Sequence, residues 1–290
     1  MKRSNIFLLT GVFVLVLLYA LTRIMAGQYV TKAAYEQNKA NWAAFDKNLY
    51  DYKPVAFDQP FDEVLIIGSK ERVSRDIEQI ICWVPAEQYG LKAYAFANYG
   101  HDFKIKNRTL ILHHGDVFFY SQRKLYIYAP HIKKITVQNA SLAFQQIKVD
   151  SMAFDFQQCG KIDLNETNQF GKLSIYADSS SCFLRQYQKE LQMEAKLSRY
   201  STLDVQTDFC SRLTVDGDAS SKISIAPPLD EKENTRRMAS IATLTFNDDM
   251  KEVRLKDTKV AQLFGNKQKL VLDMPYKDAK QTIASLSERP

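Results

Sequence analysis

One short pattern constrains this chain more than any other: apolar, polar, apolar, then a polar turn. It appears at Ile135-Thr-Val137, Leu142-Ala-Phe144, Ile147-Lys-Val149, Ile162-Asp-Leu164 and Leu173-Ser-Ile175. It returns at Leu203-Asp-Val205, Leu213-Thr-Val215, Ile223-Ser-Ile225, Leu244-Thr-Phe246 and Val253-Arg-Leu255. Alternation of this kind puts the outer two residues on one face of a strand and the middle one in water. A strand so short makes no stable sheet alone. Stacked on its neighbours, each contributes to one long core.

The interval between these triplets is steady, about ten or eleven residues from Ile162 to Leu173, Leu203 to Leu213 and Leu213 to Ile223. A β-sandwich has a similar strand interval, but with longer strands and tight hairpin turns such as Asn-Gly. Here the turns are Asn139-Ala, Asp178-Ser-Ser-Ser and Asp216-Gly-Asp218. Two triplets make a coil of ~20 residues, the size of a structural repeat. The expected fold is therefore all-β, a single-stranded β-solenoid over residues 55–275. Its first half has longer loops, with strand candidates at Val64–Ile67, Ile77–Val84, Lys92–Ala97, Phe103–Ile105, Leu110–Leu112, Val117–Phe119 and Leu125–Ile127. Phe183 to Arg199 fits a helical stripe (Phe183, Tyr187, Leu191, Ala195) or an alternation (Leu191, Met193, Ala195, Leu197). The strand reading keeps the interval and is preferred. Residues 276–290 read as a polar tail or short capping helix.

The N-terminus has a different character. Ile6 to Leu21 carries no charge and follows Met1-Lys2-Arg3. With Thr22 to Ala26 the run approaches the ~20 residues that span a bilayer. The basic flank then lies inside and the bulk of the chain outside the cytoplasm. A cleaved signal peptide is the alternative, but its apolar region is shorter and its cleavage site has small residues. Residues 1–27 are accordingly read as a transmembrane signal anchor. Residues 28–54, rich in Ala, Lys and Gln with Tyr35, Trp42, Phe45 and Tyr52 near helical spacing, are read as a juxtamembrane helix or stalk. This predicts a single-pass inner-membrane protein with its C-terminal domain in the periplasm or outside the cell.

The net charge of +6 owes three units to Lys2, Arg3 and Arg23, leaving about +3 over a domain of interleaved acids and bases. Nucleic-acid recognition needs a concentrated basic face, so no nucleic-acid partner is expected.

Phe61-Asp-Glu-Val-Leu-Ile-Ile-Gly68, Leu110-Ile-Leu112 and Leu125 to Ser141, leading into the triplets, resemble the head GIN domain. This is the auto-transporter adhesin-like family of Bacteroidetes envelope proteins. Family members often turn on Gly-Ser-Gly, where this chain has Asn, Asp and Ser. The resemblance implies a right-handed β-helix at the cell envelope.

Candidate sites are few. Cys82, Cys159, Cys182 and Cys210 contain no CxxC pair, which excludes a zinc ribbon. Cys159 and Cys182 lie about one coil apart and are a candidate disulfide, or else small buried hydrophobes. His113-His114 adjoins Gly115-Asp116, but adjacent strand residues face opposite ways, so no metal site is read there. Asp155, Asp163 and Asp204 each occupy an outward slot. If their coils stack in register they form an acidic stripe for calcium or a sugar; otherwise they are solvated polar positions. No catalytic set, dinucleotide fingerprint or P-loop occurs, and no cofactor is expected. The expected function is a membrane-anchored interaction, adhesin-like or structural module, not an enzyme, meeting an envelope glycan or protein. The alternative is a carbohydrate-active enzyme, a polysaccharide lyase or hydrolase, on the same fold.

Overall fold

The computed structural model describes residues 15–19, 44–45, 52–68, 77, 79–94, 103–113, 124–187, 190–228, 238–284 and 286–287. The chain divides into two units, Met1–Tyr50 and Asp51–Pro290. In the first unit, residues 15–19 are helical and exposed. No helix among the described residues is long and apolar enough to cross a membrane. The rest of the expected anchor over 1–27, and most of the expected juxtamembrane helix over 28–54, lie outside the described residues.

The second unit is built of strands. In chain order they open with β1 (Tyr52–Phe57), β2 (Glu63–Ile67), β3 (Gln79–Pro85), β4 (Tyr89–Tyr94), β5 (Phe103–Lys106), β6 (Thr109–His113) and β7 (Lys124–Ala129). There follow β8 (Lys134–Gln138), β9 (Leu142–Gln145), β10 (Lys148–Gln157), β11 (Lys161–Leu164), β12 (Gln169–Asp178), β13 (Ser181–Gln186), β14 (Leu191–Ser198) and β15 (Thr202–Thr207). The last are β16 (Phe209–Gly217), β17 (Lys222–Ala226), β18 (Ala239–Phe246), β19 (Glu252–Lys256), β20 (Thr258–Phe264), β21 (Leu270–Asp273) and, after helix α1 (Tyr276–Ala284), β22 (Leu286–Ser287).

They form two sheets of eleven strands each. The first runs β1-β4-β7-β3-β9-β11-β13-β15-β17-β19-β21 and the second β22-β20-β18-β16-β14-β12-β10-β8-β2-β6-β5. From β8 to β21 successive strands alternate between the sheets, and each pairs in parallel with the strand two places on. Both sheets are mixed: β1, β4 and β7 pair antiparallel, as do β5 and β6. Pro54 falls in β1, an edge strand paired on one side only, the place in a sheet where proline is tolerated. The first strand thus begins at Tyr52, in the stretch assigned from sequence to the juxtamembrane helix, and before the expected 55.

The triplets supply the core. In the second sheet Ile135, Phe154, Ile175, Ala195, Val215 and Phe246 are register partners in turn. In the first, Leu142, Ile162, Cys182, Leu203, Ile223 and Val253 are. Every one of these twelve side chains is buried. The two ladders meet across the interior, where the rings of Phe144 and Phe154 lie 5.1 Å apart. Strands are longer than the triplets suggested: β10 and β12 reach ten residues. At the start of β10, Lys148, Asp150 and Ser151 are exposed and Val149 packs partly against the core, while backbone pairing with β12 extends the strand beyond the apolar triplet. Phe183 to Arg199 resolves as β13 and β14. Leu191, Met193, Ala195 and Leu197 are buried between exposed Gln192, Glu194 and Lys196, as alternation predicted.

One corner repeats without glycine. Asn139, Gln158, Ser179 and Arg199 take left-handed φ values of 54°, 54°, 50° and 49°. Behind it runs a stack of buried hydroxyls. Ser180 Oγ accepts from Cys159 N at 2.9 Å, and Ser201 Oγ accepts from Ser180 N at 3.2 Å, each across 21 residues. These bonds satisfy backbone groups that a turn in the interior leaves without partners. At the end of the chain, α1 packs against β20.

Candidate functional site

A shallow groove of about 240 Å³ lies on the outer face of the first sheet, over β11, β13 and β15. Its axis is one outward column. Asp163 is the register partner of Phe183, and Phe183 of Asp204. Because strands stand ~4.8 Å apart, the two aspartates are ~10 Å apart with an aromatic ring at the rung between them. Lys161 flanks the column on one side; Arg185 and Gln206 flank it on the other. The Lys161 ammonium sits 5.3 Å over the centroid of the Phe183 ring, a cation–π contact.

The polar groups are unevenly satisfied. Asp163 Oδ2 accepts from Arg185 Nη2 at 2.5 Å, and Arg185 Nη1 reaches Glu166 Oε2 at 3.5 Å. Burial works against the Arg185 charge, but Asp163, with Glu166 and Tyr187, more than offsets it and raises the guanidinium pKa. Asp163 itself is only 9% exposed, and its Oδ1 is buried with no donor among the described residues. An acceptor left in that state costs about 1–3 kcal/mol. Asp204 is half-buried. Burial pushes its carboxyl above the usual range, against a hydrogen bond from Ser224 that lowers it. Gln206 Oε1 accepts from the Tyr187 hydroxyl at 3.0 Å, which leaves the amide N–H groups to point elsewhere.

The expected acidic stripe is therefore two residues, not three. Asp155 lies in β10 of the second sheet. There Oδ2 accepts from Lys134 Nζ at 2.8 Å and Oδ1 from Gln157 Nε2 at 3.0 Å. The reason is the alternation of strands between sheets: neighbouring triplets such as those holding Asp155 and Asp163 face opposite ways. Sequence reading missed Phe183, Lys161, Arg185 and Gln206. A coil length of about twenty was the available signal, since it aligns residues 163, 183 and 204 and sets 155 beside 136 and 176 instead.

All four cysteines are free and buried, so the Cys159–Cys182 disulfide is not formed. Cys182 points inward between Ile162 and Leu203. Cys159 sits at the corner, stacked on Ser180, with Sγ 3.3 Å from the Val137 carbonyl. Burial pushes the Cys82 and Cys210 thiols up to about 11 and about 12, and raises Cys182 further. Among the described residues no group of three or more His, Cys, Asp or Glu side chains is placed to hold a metal ion. His113 ends β6 and His131 is exposed; His101 and His114 lie outside the described residues.

No family model matches the chain, so the head GIN resemblance has no matching model behind it. No curated protein matches it either. Among solved structures it is similar to a "putative adhesin" from Parabacteroides merdae, with 11% identity, 82% of this chain and 95% of that chain covered, and a TM-score of 0.46. A "putative adhesin" from Bacteroides fragilis shares 12% identity over 76% of this chain and 92% of that one, with a TM-score of 0.44. A "putative lipid binding protein" from Parabacteroides distasonis shares 10% identity over 83% and 97%, with a TM-score of 0.36.

Proposed function

We propose that this chain is a non-catalytic, adhesin-like binding module of a bacterial cell envelope. In this reading residues 55–275 are a right-handed β-helix of the head GIN type. The apolar run Ile6–Leu21 behind Lys2 and Arg3 anchors it in the inner membrane, with the domain in the periplasm or outside the cell. The outer face of the first sheet carries the ligand, an envelope glycan or protein.

One observation supports binding over turnover. Asp163 and Asp204 stand two rungs apart, ~10 Å along the ladder, close to the separation at which inverting glycosidases fit a water between acid and base. Here the rung between Asp163 and Asp204 holds the Phe183 ring instead. A ring at that place is a platform for a ligand, not a path for a water. The second reading, a polysaccharide hydrolase or lyase, draws on the same separation.

The test uses the purified full chain with isolated envelope polysaccharide. Retention of the protein on the polysaccharide without release of reducing ends or unsaturated uronates is the expected result. Product release by the wild type that disappears in an Asp163→Asn, Asp204→Asn double variant would overturn the binding reading. For the anchor, protease added to spheroplasts should digest the domain, and full protection contradicts the placement.

A further inference from the structure

We propose that β21 pairs with β21 of a second copy of this chain, antiparallel and about a two-fold axis at Val271.

Among the described strands, four lie at sheet edges. Three carry features that discourage further pairing: β22 has two residues, β1 holds Pro54, and β5 exposes Lys104 and Lys106. β21, Leu270-Val-Leu-Asp273, holds one charge and no proline. Its ladder defines its free edge. Asp257 N donates to the Asp273 carbonyl at 3.0 Å, so alternation turns the backbone groups of Val271 toward β19 and those of Leu270 and Leu272 away from it. The Leu270 N–H donates to the Lys267 carbonyl. The Leu270 carbonyl and the Leu272 N–H are left facing the edge. With the axis at Val271, Leu272 of each copy opposes Leu270 of the other and donates to its carbonyl.

The side chains select the same axis. The outward column from Asp163 continues through Ser224 and Arg254 and ends at Val271, which is 38% exposed. Across the axis Val271 meets its own copy. Leu270 and Leu272 pack against the core from the inner face but are only partly buried, because no strand follows β21 in its sheet. A second copy supplies that rung. Asp273 makes no ion pair among the described residues. It comes opposite Lys269, the residue before β21, and symmetry makes the contact twice. Moving the axis to Leu270 or Leu272 sets Val271 against Lys269 or Asp273 of the other copy. Moving it by half a step opposes inner-face residues to outer-face ones. The strand that complements β21 in charge and in apolar contact is therefore β21 itself.

An edge of four residues falls well short of the ~1,200–2,000 Å² of a stable interface, so the dimer is weak and reversible. Head-to-tail pairing of β21 with β1 of the next copy does not close, and its products grow without limit.

Sedimentation velocity of the full chain over a range of concentrations, with cysteine cross-linking, tests this. The mass should rise reversibly from one chain toward two. Asp273→Lys and Lys269→Asp should each weaken the dimer about tenfold, since each sets like charges together twice, and the double reversal should restore it. Under mild oxidation Val271→Cys should give a disulfide-linked dimer, because the opposed Cα atoms stand ~4.5 Å apart, within the span of a disulfide. Asp273→Cys, which faces Lys269 of the other copy, should stay unlinked. The four native thiols are buried and do not compete. Lys269, Val271 and Asp273 all reach solvent, so the variants keep their fold. A single chain at every concentration, association unchanged by the single reversals, growth past two copies, or Asp273→Cys linking as readily as Val271→Cys overturns the proposal.

Discussion

Asp218 shows how much of a coil can hang on one side chain. Its Oδ1 accepts from Ser220 N at 2.9 Å, Ser220 Oγ at 2.6 Å and Ser221 Oγ at 2.8 Å, and its Oδ2 accepts from Arg199 N at 2.6 Å. The last bond crosses 19 residues, so it ties the turn between β14 and β15 to the turn between β16 and β17. Chiefly through the Ser220 hydroxyl, these donors hold the carboxyl far below the usual carboxylate range. A carboxyl depressed in the folded state contributes stability that is present above its unfolded pKa, ~3.9, and is lost as pH falls through the lower folded value. Asp218→Ala removes the acceptor and strands the fully buried Ser221 hydroxyl. It should destabilise by about 2 kcal/mol at pH 7, or ~4–8 °C in Tm for a domain this large. The gap between wild type and variant should narrow below pH ~4. Thermal melts from pH 2 to 7 measure it; a gap as wide at pH 2 as at pH 7 sinks the account.

At the scale of strands and turns, the corner at 139, 158, 179 and 199 is a place where this chain departs from the glycine turns its resemblance implies. A left-handed residue with a Cβ costs roughly 1–2 kcal/mol relative to glycine, partly offset because glycine loses more entropy on folding. Gln158 has φ 54° and an exposed side chain. Gln158→Gly should therefore raise stability by about 0.5–1 kcal/mol, and Gln158→Val should lower it by more than that, since a β-branched residue fits this region worst. Urea denaturation checks both, and a destabilised glycine variant contradicts the strain argument. The strands flanking this corner were legible because burial imposes a period of two, which Leu191 to Leu197 shows even amid good helix formers. The corner was legible only in part: Asn139 and the run from Asp178 to Ser181 read as turns, whereas Gln158 and Arg199 carry no mark of positive φ in a sequence. Sheet membership was not legible either. An outward slot looks the same on both sheets, which is why Asp155 was grouped with Asp163 and Asp204.

Across the strand-built unit, the parallel ladders make stability nearly one-dimensional, because from β8 to β21 each strand pairs only with the strands before and after it in its own sheet. The antiparallel pairs β1–β4–β7 and β5–β6 close one end of the sheets; β21 and β22 form the other edges. Residues in the middle therefore have a neighbour on both sides, and residues at β21 on one. Leu213 is fully buried between Met193 and Leu244. Leu272 is only partly buried and pairs with Leu255 alone. Placing an unpaired carboxylate at Leu213 should cost at least ~4 kcal/mol, a large share of the ~5–15 kcal/mol by which a folded domain is stable. At Leu272 the same charge stays near water and should cost about 1 kcal/mol. Hydrogen exchange separates the two cases. In the wild type, amides of β10 to β16 should exchange slowest, with protection falling toward β21. Leu213→Asp should abolish protection in both sheets at once, because it breaks the ladder where coils on either side depend on it. Leu272→Asp should speed exchange in β19 and β21 and leave β10 to β16 as they were. Equal loss of protection along the whole chain in Leu272→Asp means the coils unfold as one indivisible unit, and the nearest-neighbour picture fails.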